Sequence, residues 1–149
     1  VFFIIMNNVT QRLISIIFYT LPLKAAIPFG YLLFYKFSFL KVLLFLTLPI
    51  ALIEKSLPFG SLLLFLIIFL GIVRNINVPY FVRFNACQAL LINIAIIIFS
   101  YLIQIVPLVE LNYLLFGSIL VLTIFSILQC SYGIEPEIPL ISKSVRMQI

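Results

Sequence analysis

The stretch "VRFNACQALLINIAIIIFSYLIQIVP" (residues 82–107) decides the class of fold. After a short polar opening it is almost wholly apolar over about the 20 residues that an α-helix needs to cross a bilayer. The whole chain shares this character, since 65% of its 149 residues are hydrophobic and only 9% are charged. A soluble domain carries roughly 25% charged residues. The composition therefore predicts an all-α integral membrane protein.

Four segments are apolar enough to be predicted as membrane-spanning helices: residues 37–53, 57–73, 86–107 and 113–132. The short breaks "EKS" and "LVELN" can only join antiparallel neighbours, so the four spans are predicted to form two hairpins. Residues 10–35 are also apolar, but prolines, Lys24 and Gly30 interrupt them. Interior prolines break helices, and a charge at bilayer depth is costly. We predict an interfacial or re-entrant segment there, and a fifth span is the alternative.

The distribution of basic residues tests this arrangement. With four spans, both termini and the loop of residues 74–83 lie on one side of the membrane. That side holds eight of the nine basic residues, namely Arg12, Lys24, Lys36, Lys41, Arg74, Arg83, Lys143 and Arg146. Glu54, Lys55 and Glu110 lie on the other side. Because cytoplasmic loops are enriched in Lys and Arg, both termini are predicted to be cytoplasmic or in the topologically equivalent compartment.

The same basic residues indicate what the protein contacts. A basic face at the membrane surface favours contact with anionic lipid head groups. The basic residues are dispersed and belong to no recognition module, so nucleic acid is not a predicted partner.

The residue types that catalysis requires are scarce. The chain has no histidine or aspartate, and its only acids are Glu54, Glu110, Glu135 and Glu137. Histidine is the commonest general base and a leading metal ligand. The sequence therefore predicts no enzyme, no cofactor and no metal site. Glu135 and Glu137 are assigned to a solvated tail of residues 133–149. Cys87 and Cys130 are predicted to be buried free thiols, with a disulfide as the alternative.

Polar side chains recur along the third predicted span. At about 100° per residue, Asn93, Ser100 and Gln104 fall within about 40° of one another, with Asn85 and Gln88 near that face. The fourth span carries a broader polar face of Ser118, Thr123, Ser126 and Gln129. An amide without partners in hydrocarbon is costly, so both faces are predicted to point away from lipid. They either hydrogen-bond to each other, at ~0.6–2 kcal/mol per contact, or line a hydrated path or a partner.

The segment "FLGIVRNINVPYFVRFNACQALLINI" (residues 69–94) resembles the signature of the twenty-kilodalton Tic family, subunits of the protein-import translocon of the chloroplast inner envelope. The family pattern Gly-x-Val-Arg-Asn begins here at Gly71, and Arg-Phe-Asn-x-x-Gln-Ala begins at Arg83. Residues 21–34 and 137–149 resemble two further family stretches, so the similarity covers about residues 12–149. Asn93 and Lys143 stand where the family usually has acids, so contacts that the family makes through those charges are in question here.

The resemblance implies a four-helix protein of the plastid inner envelope membrane with both termini in the stroma. It also implies a role in moving preproteins, together with other translocon subunits. Three functions compete. The protein could contribute to the preprotein-conducting path through Arg83, Asn85, Gln88, Asn93, Ser100 and Gln104. It could be a non-conducting scaffold, or a small-solute or ion transporter. The transporter is the weakest candidate, because it predicts a charged or discontinuous site in mid-membrane. Four helices enclose little space, so we expect obligate assembly with larger partners.

Overall fold

The chain folds into a bundle of helices. The computed structural model describes residues 8–106, 108–138 and 141–149, and all regular structure within them is helical. The α-helices are α1 (Asn8–Phe18), α2 (Thr20–Ala26), α3 (Tyr31–Lys36), α4 (Val42–Ser56), α5 (Gly60–Ile68), α6 (Tyr80–Ile105), α7 (Val109–Ser131) and α8 (Ile141–Gln148). Turns of 3-10 helix at Ile27–Gly30 and Ser38–Lys41, and of π-helix at Phe69–Val73, join or extend them. The predicted all-α class is confirmed.

Three of the described helical stretches are long and apolar enough to cross a membrane: Val9–Gly30, Tyr80–Ile105 and Val109–Ser131. Ser38–Ser56 and Gly60–Val73 pass the same test only as a pair, and this pair is bent by 103°. The described chain therefore carries three membrane-spanning helices, or four when the bent pair is counted as one broken span.

The N-terminal stretch differs from the predicted interfacial or re-entrant segment. Val9–Gly30 is one candidate span made of α1, α2 and the 3-10 turn that follows. Pro22 is the third residue of α2, and Pro28 is the second residue of the turn. At such early positions the missing N–H removes no hydrogen bond that the new helix needs. The prolines therefore mark boundaries between successive elements and do not end the span.

The hairpin predicted for residues 37–53 and 57–73 is instead a bent pair of shorter helices. α4 continues through "EKS" to Ser56, and the break falls at residues 57–59. Phe59 and Gly60 have φ angles of 59° and 44°, in the left-handed region that turns the chain sharply. α4 has 15 residues and α5 has 9, so neither reaches the length of a span alone.

α6 and α7 overlap the spans predicted for residues 86–107 and 113–132, but both begin earlier. Pro79 directly precedes α6, where its fixed φ suits a helix start, so Asn85 lies inside the helix. The predicted end at Pro107 lies outside the described residues. Glu110 falls in the first turn of α7, where the helix dipole favours a carboxylate.

The α1–α2 stretch packs against both α6 and α7. At one end, Arg12 Nη1 lies 3.5 Å from the Ser131 carbonyl oxygen, at the close of α7. At the other end, Gly30 meets Phe116, and a Cβ atom there would lie 2.7 Å from the phenyl ring. Glycine thus permits this close approach. The two contacts show that α1–α2 runs antiparallel to α7.

The C-terminal segment, residues 134–149, is packed on the bundle. Ile138, Ser142 and Val145 are buried, and α8 lies against α6. The solvated tail predicted for residues 133–149 is corrected here, because only part of the segment is exposed, including Glu137 and Lys143. Pro139 and Leu140, which belong to the family-like ending, lie outside the described residues.

Candidate functional site

A polar cluster joins three helices where α6 begins. The Tyr19 hydroxyl donates to Asn85 Oδ1 at 2.7 Å and accepts from Gln88 Nε2 at 3.0 Å. Asn85 Nδ2 donates to the Phe81 carbonyl at 2.8 Å, and the Cys130 thiol lies 3.2 Å from Asn85 Oδ1. Tyr19, Asn85 and Gln88 are all fully buried. The two amides of the family-like motif therefore hold α1–α2, α6 and α7 together in this conformation.

The C-terminal segment closes this polar cluster. Gln88 Nε2 also donates to the Pro136 carbonyl at 3.2 Å. Ser142 Oγ lies 2.6 Å from Gln88 Oε1 and 3.0 Å from the Pro136 carbonyl, and it accepts the Ile138 amide hydrogen at 2.8 Å. The hydroxyl has one hydrogen and donates it to the nearer Gln88 oxygen. Both N–H groups and the oxygen of the Gln88 side-chain amide therefore form hydrogen bonds within the subunit.

Arg83 lies apart from this cluster. Its Nε donates to the Val73 carbonyl at 3.0 Å, which ties α6 to the end of the π turn. Arg74 lies over the Phe69 ring, 5.2 Å from its centroid. Both basic residues of the motif therefore fix the loop between α5 and α6, and neither points its charge at Gln88.

Asn93 and Thr123 are buried deeper along the same pair of helices. α6 and α7 are antiparallel, and Asn85 contacts Cys130. Asn93 therefore lies eight residues further along α6, at about the level of Thr123 and close to the middle of both helices. Asn93 Oδ1 and Thr123 Oγ1 have no hydrogen-bond partner among the described residues. Ser126 is also buried.

The remaining predicted site residues are not gathered with these. Gln104 and Ser118 are exposed, while Ser100 and Gln129 are partly buried. Ser100 Oγ donates to the Ile97 carbonyl of its own helix at 2.6 Å. The predicted polar face of α6 thus divides into two parts. Asn85, Gln88 and Asn93 face the bundle, whereas Ser100 and Gln104 lie where α1 and α2 no longer cover α6. Helical periodicity fixes the angular position of a side chain but not which neighbour covers each turn.

An ion pair joins α2 to α4. Lys24 Nζ on α2 contacts Glu54 Oε2 near the end of α4, with side-chain exposures of 35% and 10%. The predicted topology had placed these residues on opposite sides of the membrane, and the contact overturns that. Lys24 lies five residues beyond Tyr19, about 7 Å further along the helix and so near the level of Leu90. The sequence signal was present, since Lys24 interrupts an apolar stretch, but its partner is 30 residues away.

A cavity between α6 and α7 is apolar. About 590 Å³ opens between the second half of α6 and the first half of α7. Its lining includes Phe99, Leu102, Leu111, Leu115 and Ile119. A hydrated path would need polar lining groups, so this cavity is no part of one.

The described residues include no group of three or more His, Cys, Asp or Glu side chains that could hold a metal ion. Cys87 and Cys130 are free and buried, as the first of the two alternatives predicted. They belong to different apolar clusters: that of Cys87 includes Phe84 and Leu90, and that of Cys130 includes Tyr19 and Ile138. The site is therefore one of neutral hydrogen-bonding groups.

The chain is similar to known proteins over nearly its whole length. Residues 8–145 match the family model described as "Chloroplast import apparatus Tic20-like". A "Tic20 family protein" of Synechocystis sp. (strain ATCC 27184 / PCC 6803 / Kazusa) is 33% identical over 149 residues, which cover 93% of this chain and 92% of the relative. The family match includes α6 and every residue of the polar cluster.

Proposed function

This chain belongs to the chloroplast import apparatus Tic20-like family, and from that premise we propose that it contributes to the preprotein-conducting path of the plastid inner-envelope translocon. The observation that carries the proposal is a pair of buried polar atoms, Asn93 Oδ1 and Thr123 Oγ1, which have no hydrogen-bond partner among the described residues. Both side chains are uncharged and can bond to a polypeptide, so they suit transient contact with a passing chain. Tight binding would stall such a chain.

The packing supports a four-span topology with both termini on the stromal side. Val9–Gly30 leads away from that side, and the bent pair returns to it, because the Val73 carbonyl meets Arg83 at the start of α6. At about 1.5 Å per residue its arms are roughly 28 and 21 Å long, and the 103° bend leaves their ends about 31 Å apart. That distance matches the ~30 Å hydrocarbon core.

This topology changes the charge distribution. Lys36 and Lys41 follow the first span and move to the side opposite the termini. Arg12, Arg74, Arg83, Lys143 and Arg146 remain on the proposed stromal side. The proposed stromal side still carries more basic residues than the opposite side, although the difference is smaller than predicted. The orientation therefore still follows the positive-inside rule.

Partner subunits are part of the proposal. The cavity between α6 and α7 is apolar, and the polar cluster around Gln88 is closed by groups of the same chain. A peptide-width path therefore needs larger membrane partners to complete it. Preproteins, those partners and anionic lipids are the expected contacts.

Site-specific photo-crosslinking to an arrested preprotein tests the proposal. A photoreactive residue would replace Asn93 in the assembled translocon, with Ile98 as the matched control. Ile98 lies on the same helix, about 140° round from Asn93, and is 55% exposed. We expect crosslinks to the preprotein from position 93 and none from position 98. Equal yields, or none from position 93, would contradict a role in the path.

A non-conducting scaffold is the second candidate. It is favoured by the complete pairing of Gln88 within the subunit, which is what helix packing alone requires. Crosslinks from position 93 to partner subunits only, with import unaffected by Asn93→Ala, would favour this function. The solute-transporter candidate has its own supporting feature in the Lys24–Glu54 pair beside a broken helix.

A further inference from the structure

The C-terminal segment is bound to α6 as a peptide ligand would be. We infer that the surface around Gln88 and Tyr19 is a binding site for a non-helical polypeptide strand, and that the chain's own C-terminal segment occupies it at rest. The inference rests on the proposed function and adds two things to it: the kind of contact made with the preprotein, and the segment that must leave first.

One of the two hydrogen bonds from Gln88 to the segment goes to a main-chain atom, and the other goes to a hydroxyl. Residues 134–138 lie outside any helix, and Pro136 restricts Glu135 to extended backbone. Gln88 Nε2 donates to the Pro136 carbonyl at 3.2 Å. Ser142 Oγ bonds to the Ile138 amide and to Gln88 Oε1. A main-chain carbonyl and a small hydroxyl recur in any polypeptide, so this recognition does not depend on one sequence.

An empty site would be unfavourable. Gln88 is fully buried and uses both donors and its acceptor. If the C-terminal segment left, two of these three hydrogen bonds would be lost and a buried amide would lack partners, which is unfavourable. The carbonyl and amide groups of an incoming strand would replace them. Exchange between the segment and a preprotein is therefore competitive.

The segment can leave as a unit. Its ion pairs are internal, since Arg146 bonds to both Glu135 and Glu137 within the same segment. It is attached to the bundle by buried Ile138 and Val145, by the Gln88 hydrogen bonds and by Arg146 over the Phe84 ring at 5.0 Å. None of these attachments is a covalent bond or an ion pair with another helix.

A reversible crosslink tests the inference in the assembled translocon. Phe84→Cys and Arg146→Cys, which lie against each other, would be joined with a short, reducible bis-thiol reagent in a background of Cys87→Ala and Cys130→Ser, so that Gln88 and Ser142 stay intact. The import rate of each crosslinked preparation is compared with the rate of the same preparation after the crosslink has been reduced. The matched control joins Glu137→Cys to Arg146→Cys, which links the segment only to itself.

We expect the α6 crosslink to reduce import about tenfold and reduction to restore it, while the control crosslink has little effect. Import that continues unchanged with the segment fully linked to α6 would overturn the inference. It would leave the proposed function intact, because position 93 could still crosslink to a preprotein. Absence of crosslinks at position 93 would instead remove the proposed function itself.

A second measurement needs no variant in the site. A synthetic peptide of residues 134–149, added in excess to the unmodified translocon, should compete with the preprotein and lower the import rate. A peptide of the same length with Pro136 and Ser142 both replaced by alanine should compete less, because it lacks the hydroxyl that donates to Gln88. Equal import with and without the first peptide would count against a peptide-binding site.

Discussion

Asn85 and Gln88 differ from the other polar residues of α6 in what surrounds them. Both are fully buried, and their amides contact Tyr19 on the N-terminal span. Gln104 is the same residue type as Gln88 but is exposed near the other end of the helix. Loss of a hydrogen-bond partner destabilises the protein more when the amide is buried in the bundle than when it is exposed at the end of a helix.

Replacing Asn85 with alanine should therefore destabilise the protein by about 1–3 kcal/mol, because the Tyr19 hydroxyl loses its acceptor while staying buried. Gln104→Ala is the matched control and should change stability by less than about 0.5 kcal/mol. Thermal unfolding of both purified variants in the same detergent measures the difference. Equal midpoints would show that the buried cluster does not hold the helices together.

Lys24 and Glu54 form the second residue-scale feature. Their ion pair connects the N-terminal span to the bent pair at a depth where a lone charge is unfavourable. Glu54→Gln should cost about 1–3 kcal/mol, less than the ~3–5 kcal/mol of a fully buried pair, because Lys24 remains partly exposed.

The charge exchange Lys24→Glu with Glu54→Lys should recover most of that loss, and Lys55→Gln, at the exposed neighbour, should have little effect. The same unfolding measurement applies. A swapped variant no more stable than Glu54→Gln would show that the contact is not an ion pair of energetic importance.

At the scale of elements, the C-terminal segment combines an exposed clamp with a buried anchor. Arg146 donates to Glu137 Oε2 at 3.1 Å and to Glu135 at 3.4 Å, while Val145 on the same helix is buried. The clamp holds α8 against the non-helical residues that precede it. α8 has only eight residues, so it depends on such tertiary contacts to remain helical.

Acid should loosen this segment. Hydrogen bonding from the Arg146 guanidinium lowers the pKa of Glu137 below its ordinary value of 4.5. A carboxyl whose pKa is lower in the folded state stabilises that state above its unfolded pKa, and the contribution is lost as pH falls through the folded value. The protection factors of the α8 amides against hydrogen exchange, which correct for the intrinsic effect of pH on exchange, should therefore fall below the ordinary pKa of Glu137.

Glu137→Gln should abolish this pH step, and Glu110→Gln, in α7, should retain it. An identical step in the Glu137→Gln variant would show that another group controls the docking of α8.

At the scale of the whole molecule, Val9–Gly30 is the first candidate span, and the proposed topology counts the bent pair as one crossing. The sequence alone favoured two crossings by the bent pair and none before it. Both arrangements have four spans, and both place the termini together. They differ in which side of the membrane holds residues 31–41.

Single cysteines distinguish the two arrangements. In a background of Cys87→Ala and Cys130→Ser, we expect Asn77→Cys and Lys143→Cys to react with a membrane-impermeant thiol reagent from the same face, and Ser38→Cys from the opposite face. All three positions are exposed. Labelling of Ser38→Cys from the face that labels Asn77→Cys would restore the hairpin arrangement.

The sequence by itself determined the class of the molecule, its apolar spans α6 and α7, and its family. These follow from composition and from patterns among residues that are close in the sequence. The length of an apolar segment predicts a span, and the Arg83–Gln88 motif identifies the family. It also placed Asn85, Gln88 and Asn93 on a face turned from lipid, because helical periodicity is a local property.

The tertiary structure alone decided which polar groups meet. Lys24 and Glu54, and Gln88 and Ser142, are 30 and 54 residues apart, and no periodicity relates them. The same holds for the prolines of the N-terminal stretch, which end a helix or merely begin the next one according to what packs around them. A charge inside an apolar segment is energetically unfavourable unless an opposite charge lies beside it. Only the fold brings that distant partner near.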